Sequence, residues 1–280
     1  MEARTPRYTG RGRRGTIARA LRGGSTGRVD VDALWVLLAG FGAGVLTATV
    51  GVASLLSFPV LVALGLPPVT ANVSTTIGLV PAGLGAAAGF RDELRAHPRL
   101  TAQLLGLTAV AGIAGAALLV LLPAGVFEAI VPWLILGTCA LVALQPRIAA
   151  WLRARRGEDR EARLRLTPLV VGCVLLVGVY GGYFGAGAGV MMLAVLALSL
   201  DIEFHVAGAL RTLTVMAANI TAGVVFALVA DVDWGVVGLL AVGSVVGGYT
   251  GARIAKRLPV AWLRAAIVVA GTASALAMLR

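Results

Sequence analysis

Charge is what this chain lacks most. Asp, Glu, Lys and Arg make up 13% of its 280 residues, about half the share usual in a soluble domain. Aromatic residues reach 6%, histidine occurs twice, and the two cysteines, Cys139 and Cys173, sit inside separate apolar runs. Each shortage removes a class. A chain that is 59% apolar, with a mean hydropathy of +0.92, cannot cover itself with polar surface as a soluble enzyme or DNA-binding domain must. Two cysteines so placed make neither a disulfide framework nor a zinc site. His97 and His205 lie at the edges of apolar runs, no pair of acids falls within one, and no nucleophile–base set is visible. The sequence therefore gives no reason to expect catalysis, a metal or a cofactor. What remains is an all-α, polytopic helical bundle in the cell membrane.

The few charges are mostly positive: 24 Lys+Arg against 13 Asp+Glu, a formal charge of +11. Their placement argues against nucleic acid. Eight Arg lie between Arg4 and Arg28 and seven between Arg147 and Arg165. The first group has a single aromatic neighbour, Tyr8, and so no platform on which bases could stack. It reads as a Gly-rich basic arm over residues 1–30, lying on the lipid surface. It is too long and Arg-rich for a signal peptide.

Stretches free of ionisable groups mark the spans: 33–90, 100–127, 129–146, 166–200, 234–252 and 265–279, with 204–230 holding one charge. A crossing helix needs about 20 apolar residues. Residues 69–90, 101–122, 129–144, 204–229, 234–252 and 265–279 are read as single crossings. Residues 33–64 and 168–200 are too long for one helix and are interrupted by glycine. Each is expected to break into two pieces, near Gly51 and near Gly185, with 52–64 as a half-helix or re-entrant segment.

Residues 71–123 align with 207–259 without a gap, at an offset of 136. Ala71/Ala207, Thr76/Thr212, Phe90/Phe226, Gly112/Gly248, Gly115/Gly251 and Pro123/Pro259 are identical. This suggests a first transmembrane repeat over 31–145, a charged linker over 146–166 and a second repeat over 167–280. Loop charges invert between them. Arg91, Arg95 and Arg99 correspond to a loop holding Asp231 and Asp233, while the loop of Glu128 corresponds to one with Arg253, Lys256, Arg257 and Arg264. Basic short loops stay cytoplasmic, so the halves are read as inverted, an arrangement typical of secondary transporters with their site at broken helices. The same scheme puts the Arg-rich arm outside, against that rule. Either the first segment does not cross as drawn or the halves are not inverted.

Arg211 is the only charge inside a span, and a charge in the hydrocarbon is costly unless something outweighs it. Thr214 and Ala218 are expected on its face, at i+3 and i+7, with Thr212 and Asn219 flanking. The matching helix of the first half carries Asn72, Ser74, Thr75 and Thr76. One guanidinium among hydroxyls and amides is the chemistry of an anion site, because its planar fork matches paired oxygens. Helix starts after Gly51 and Gly185 could add N–H groups aimed at the same anion. Gly185, Gly187 and Gly189 belong to a run without the dinucleotide-binding register. It is read as a backbone break, and also as close helix packing along Gly181, Gly185 and Gly189. Gly243, Gly247 and Gly251 are read as packing alone.

Residues 40–59, Leu66-Pro67-Pro68 with 71–76, 90–95, 180–189, 207–219 and 247–259 resemble the sulfite exporter TauE/SafE family of membrane transporters, over about residues 33–279. The resemblance implies a two-repeat plasma-membrane permease for small anions, often sulfur-containing ones such as sulfite or sulfonates. The turn Gly51-Val52-Ala53-Ser54 departs from it in lacking a run of three glycines. The resulting expectation is a secondary permease for a small anion, held by Arg211, Asn72, Thr75, Thr76, Thr212 and Asn219, with Gly51, Gly185, Gly187 and Gly189 as the breaks that flex. Its partners are the anion and the lipid bilayer. The coupling ion, the direction of flux and a homo-oligomer are left open. A passive anion channel, a non-transporting scaffold with a basic arm, and an amino-acid exporter are the competing readings.

Overall fold

A computed structural model describes residues 26–49, 51–89, 97–154, 166–200, 202–254 and 260–279. Most of the basic arm, the loop around Arg91 and Arg95, most of the charged linker, Asp201 and the loop holding Lys256 and Arg257 lie outside the described residues. Among the described residues there are eleven helices and no strand. They are α1 (Thr26–Thr49), α2 (Ser54–Ala63), α3 (Pro68–Gly78), α4 (Val80–Gly89), α5 (Pro98–Leu121), α6 (Ala124–Ala154), α7 (Pro168–Tyr183), α8 (Ala188–Ser199), α9 (Phe204–Val229), α10 (Trp234–Ile254) and α11 (Val260–Met278). Helices α5, α6, α9 and α10 are long and apolar enough to cross a membrane.

Local chemistry explains where helices start and stop. Pro68, Pro98 and Pro168 open α3, α5 and α7, positions where a missing N–H costs nothing. Thr167 caps α7 by accepting a bond from the Val170 N–H at 3.4 Å. Between α1 and α2 the chain turns through Gly51 at φ +80°, and between α7 and α8 through Gly185 and Gly187, each at φ +76°. A residue with a Cβ is strained at such angles.

Two spans differ from the sequence reading. Residues 69–90 do not form one helix: the helix stops at Gly78, Leu79 forms a turn, and α4 begins at Val80. The cause is Pro81, which has no N–H to offer the carbonyl of Ile77. Helix α6 outruns its expected span. It carries Pro132 and Pro146 and continues to Ala154, so residues 146–154 are helical.

Helix α9 is the hub and packs against α3, α4, α5, α7 and α8, while α1 lies along α10, α5 along α7, and α6 along α11. The α1–α10 and α5–α7 pairs meet on glycine faces. A methyl group at Gly40 would sit 2.7 Å from the Leu240 carbonyl oxygen, and one at Gly178 would sit 2.6 Å from the Ala111 Cβ. Gly243, Gly247 and Gly251 face Leu37, Phe41 and Val45 of α1, so those three glycines do serve packing. Such contacts suit lipid, where burial supplies no hydrophobic gain and close backbone approach must supply dispersion instead. Phe58, Phe127, Tyr180, Tyr183 and Phe184 form an edge-to-face cluster behind the α7–α8 break. On the outside, Leu121, Leu169 and Leu228 are 82%, 78% and 79% exposed, a surface fit for acyl chains and not for water.

A substitution tests the glycine contact. Gly247→Ala drives a methyl group into the Phe41 carbonyl, whereas Gly238→Ala meets nothing within 4 Å. Overpacking of this kind costs about 1–3 kcal/mol. Gly247→Ala should lower the melting temperature of the detergent-purified protein, and Gly238→Ala should leave it at or above wild type.

Candidate functional site

The two broken turns, α3 with α4, and α9 enclose a cavity with about 100 Å³ open to the centre of a water molecule. At about 30 Å³ per water in the liquid, it has room for roughly three waters, or one small solute. Its wall is built from both halves of the sequence. Helices α3 and α4 contribute Thr75, Thr76, Leu79, Val80 and Gly83, and α9 contributes Arg211, Thr212, Val215, Met216 and Asn219. Thr47, Gly51, Val52, Ala53 and Ser54 line the first break, and Phe184, Gly185 and Gly189 the second.

Arg211 therefore faces the cavity and not the headgroups. Its Nη2 would lie 3.2 Å from a methyl group placed on Gly51, so the guanidinium packs against this turn, whose φ of +80° favours glycine. Among the described residues Arg211 has no ion pair and its guanidinium no hydrogen bond. Asn219 stands at the other break, with its Oδ1 3.6 Å from a methyl group placed on Gly185. One helix thus carries a cation to the first break and a carboxamide to the second.

The face of α9 differs from the expected one. The cavity takes Arg211, Thr212, Val215, Met216 and Asn219, the i, i+4, i+8 row with its neighbours. Thr214 is fully buried elsewhere, and Ala218 packs on Gly112 of α5. Successive residues turn by 100°, so i+4 and i+8 swing to one side of Arg211 and i+3 and i+7 to the other. Tertiary packing with α5 claims the second side.

The hydroxyls also separate. Thr76 Oγ1 donates to the Asn72 carbonyl and Thr212 Oγ1 to the Gly208 carbonyl, both at 3.0 Å, so their single protons are engaged within their own helices. Thr75 Oγ1 is fully buried at the wall and has no hydrogen-bond partner among the described residues. Asn72 does not line the cavity; its Nδ2 donates to the Tyr183 carbonyl at 2.9 Å. Gly187 also lies behind the wall, against Thr138, while Gly51, Gly185 and Gly189 line it. Sequence reasoning passed over Thr47, Leu79, Val80, Gly83, Val215, Met216 and Phe184. A signal for five of them was present: Leu79/Val215, Val80/Met216 and Gly83/Asn219 stand at the same offset of 136 as Thr75/Arg211 and Thr76/Thr212.

Among the described residues the arrangement offers one cation without an ion pair, the unengaged hydroxyls of Ser54 and Thr75, and one carboxamide, in a small, otherwise uncharged space. It has no nucleophile–base geometry, and no cluster of metal-ligating groups is found among the described residues.

Comparison with known proteins agrees in kind. Residues 36–278 match the family described as Sulfite exporter TauE/SafE. A probable membrane transporter protein of Sinorhizobium is 26% identical over 250 residues, covering 88% of this chain and 91% of its own. One from Haemophilus influenzae is 23% identical over 244 residues, covering 86% and 92%. The probable membrane transporter protein YfcA of Escherichia coli is 28% identical over 214 residues, 76% of each chain. No solved structure matches the chain. With a family match over residues 36–278, this chain belongs to the sulfite exporter TauE/SafE family of multi-pass membrane transporters.

Proposed function

We propose that the cavity binds a small anion and that the protein carries it across the cell membrane as a secondary permease, without ATP, the anion being sulfite or an organosulfonate. The observation that carries this reading is Arg211, a cation without a counter-ion among the described residues that lines a cavity sized for a small solute. An anion there would take two parallel bonds from the guanidinium fork. Thr75 and Asn219 would add hydrogen bonds, and the first turns of α2 and α8, which begin at the cavity, would add the positive ends of two helix dipoles. The apolar wall formed by Leu79, Val80, Val215 and Met216 strengthens each of these by excluding water.

An inverted two-repeat architecture is part of the proposal. Its support is the pairing of wall positions at one offset, together with the helix contacts. Helix α1 lies on α10 as α7 lies on α5, and α2 meets α11 as α8 meets α6. Swapping the halves turns each contact into its counterpart. A site shared between two such halves lets each half rock against the other and open the cavity to either side in turn. The halves differ where chemistry is needed: Arg211 stands opposite Thr75 and Asn219 opposite Gly83.

Uptake and counterflow of labelled sulfite and taurine in proteoliposomes test the reading. Saturable flux with counterflow is the expected result, and linear flux without counterflow would replace the carrier with a channel. Arg211→Gln should reduce transport at least about tenfold, the scale of a lost charge-assisted bond. Wild-type transport in that variant would remove Arg211 from the site. Thr75→Val deletes a hydroxyl that has no partner among the described residues. Its melting temperature should therefore stay at or above wild type while KM rises a few-fold, about the worth of one neutral hydrogen bond.

A further inference from the structure

Behind the cavity wall lies a second set of polar side chains that the site itself does not use. Where the chain leaves α7 at Tyr183 and starts α8 at Ala188, the peptide carbonyls lose their helical donors and need others. Those of Tyr183, Gly185, Ala186 and Gly187 take donors from residues that do not line the cavity. The Phe184 and Gly185 N–H groups take the Tyr180 carbonyl, Ala188 takes that of Gly185, and Val190 takes that of Gly187 at 2.9 Å. The other two are held by side chains. Tyr183 O accepts from Asn72 Nδ2 at 2.9 Å, and Ala186 O accepts from the Tyr180 hydroxyl at 2.6 Å with Thr138 Oγ1 at 3.0 Å. None of Asn72, Thr138 and Tyr180 lines the cavity. At the first break, the Val52 and Ala53 carbonyls take their donors from within α2.

A carbonyl oxygen carries partial negative charge. Turned into the cavity, it would repel an anion and would itself bond to Arg211. We infer that Tyr180, Thr138 and Asn72 are positioning residues of the anion site: they hold the Tyr183 and Ala186 carbonyls outward so that the start of α8 presents the Gly189 N–H to the anion. This rests on the reading of the cavity as an anion site.

Proton counting makes the clamp specific. Tyr180 has one proton, and its 2.6 Å contact assigns that proton to the Ala186 carbonyl. Thr138 also has one, with the Leu134 carbonyl at 2.8 Å, the Ala186 carbonyl at 3.0 Å and the Tyr180 hydroxyl oxygen at 3.2 Å competing for it. Without the Tyr180 hydroxyl, Thr138 turns its proton to Ala186. The two hydroxyls are thus redundant, and their losses are not additive.

The test compares Tyr180→Phe, Thr138→Val, the double variant of the two, and Tyr180→Phe with Thr138→Ser, in full-length protein. Two measurements are made: hydrogen exchange of residues 184–190 in nanodiscs, and uptake of labelled sulfite. Each single variant should exchange within a few-fold of wild type. The double variant should exchange about tenfold faster in that segment alone, as local opening becomes cheaper. Its KM for sulfite should rise about tenfold with Vmax kept, whereas Tyr180→Phe with Thr138→Ser should match wild type in both. Unchanged exchange in the double variant overturns the clamp, as does a fall in Vmax at constant KM, or additive losses. If the double variant does not fold, a tenfold rise in the KM of the serine pair overturns it equally. A wild-type protein that does not take up sulfite sinks the proposed substrate, and exchange then decides the clamp by itself.

Discussion

A guanidinium held among apolar helices, with no carboxylate paired to it among the described residues, is the constraint around which the rest of this molecule is arranged. An arginine at the centre of a helix in lipid costs about 2.5–3.5 kcal/mol on insertion scales. Arg211 is not relieved by an ion pair among the described residues. Relief has to come from water in the cavity or from a bound anion. A carboxylate nearby would have stabilised the fold and removed the reason for an anion to bind. The surrounding wall is therefore neutral, and its groups are hydroxyl, carboxamide and backbone. The proposed function follows from that unsatisfied charge more than from any shape.

The backbone makes room for it. Gly51 lies against the Arg211 guanidinium, and its positive φ ends α1 at the level of the cavity. The second break is made by Gly185 and Gly187 and is tied from outside by side chains of α3, α6 and α7. The two breaks are thus alike in backbone and unlike in support. Helix α9 links them, since Arg211 and Asn219 are eight residues apart, about 12 Å along its axis.

Much of this was legible before any coordinates. The apolar runs, their glycine interruptions and the lone Arg211 stand out because lipid tolerates so little charge that one exception is conspicuous. The offset of 136 was visible as well, and it pairs wall positions that were not picked out individually. Other features were not legible. The stop at Leu79 needed the effect of Pro81 to outweigh an unbroken apolar run. The choice between the Thr214–Ala218 side and the Val215–Asn219 side of α9 depended on where α5 packs. Asn72 looked like a ligand group and instead holds the Tyr183 carbonyl, because a polar side chain in a span bonds to whichever acceptor the fold brings near.

The sequence alone determined the class of the protein, the approximate spans, the breaks and the identity of the cation that lines the cavity. These depend on composition and on local backbone preference, which lipid enforces residue by residue. Only the tertiary structure decided which hydroxyls are engaged, which amide faces the cavity and which carbonyls are turned from it. Those outcomes depend on partners more than a hundred residues away, as with Asn72 and Tyr183, and no local pattern encodes the distance between them.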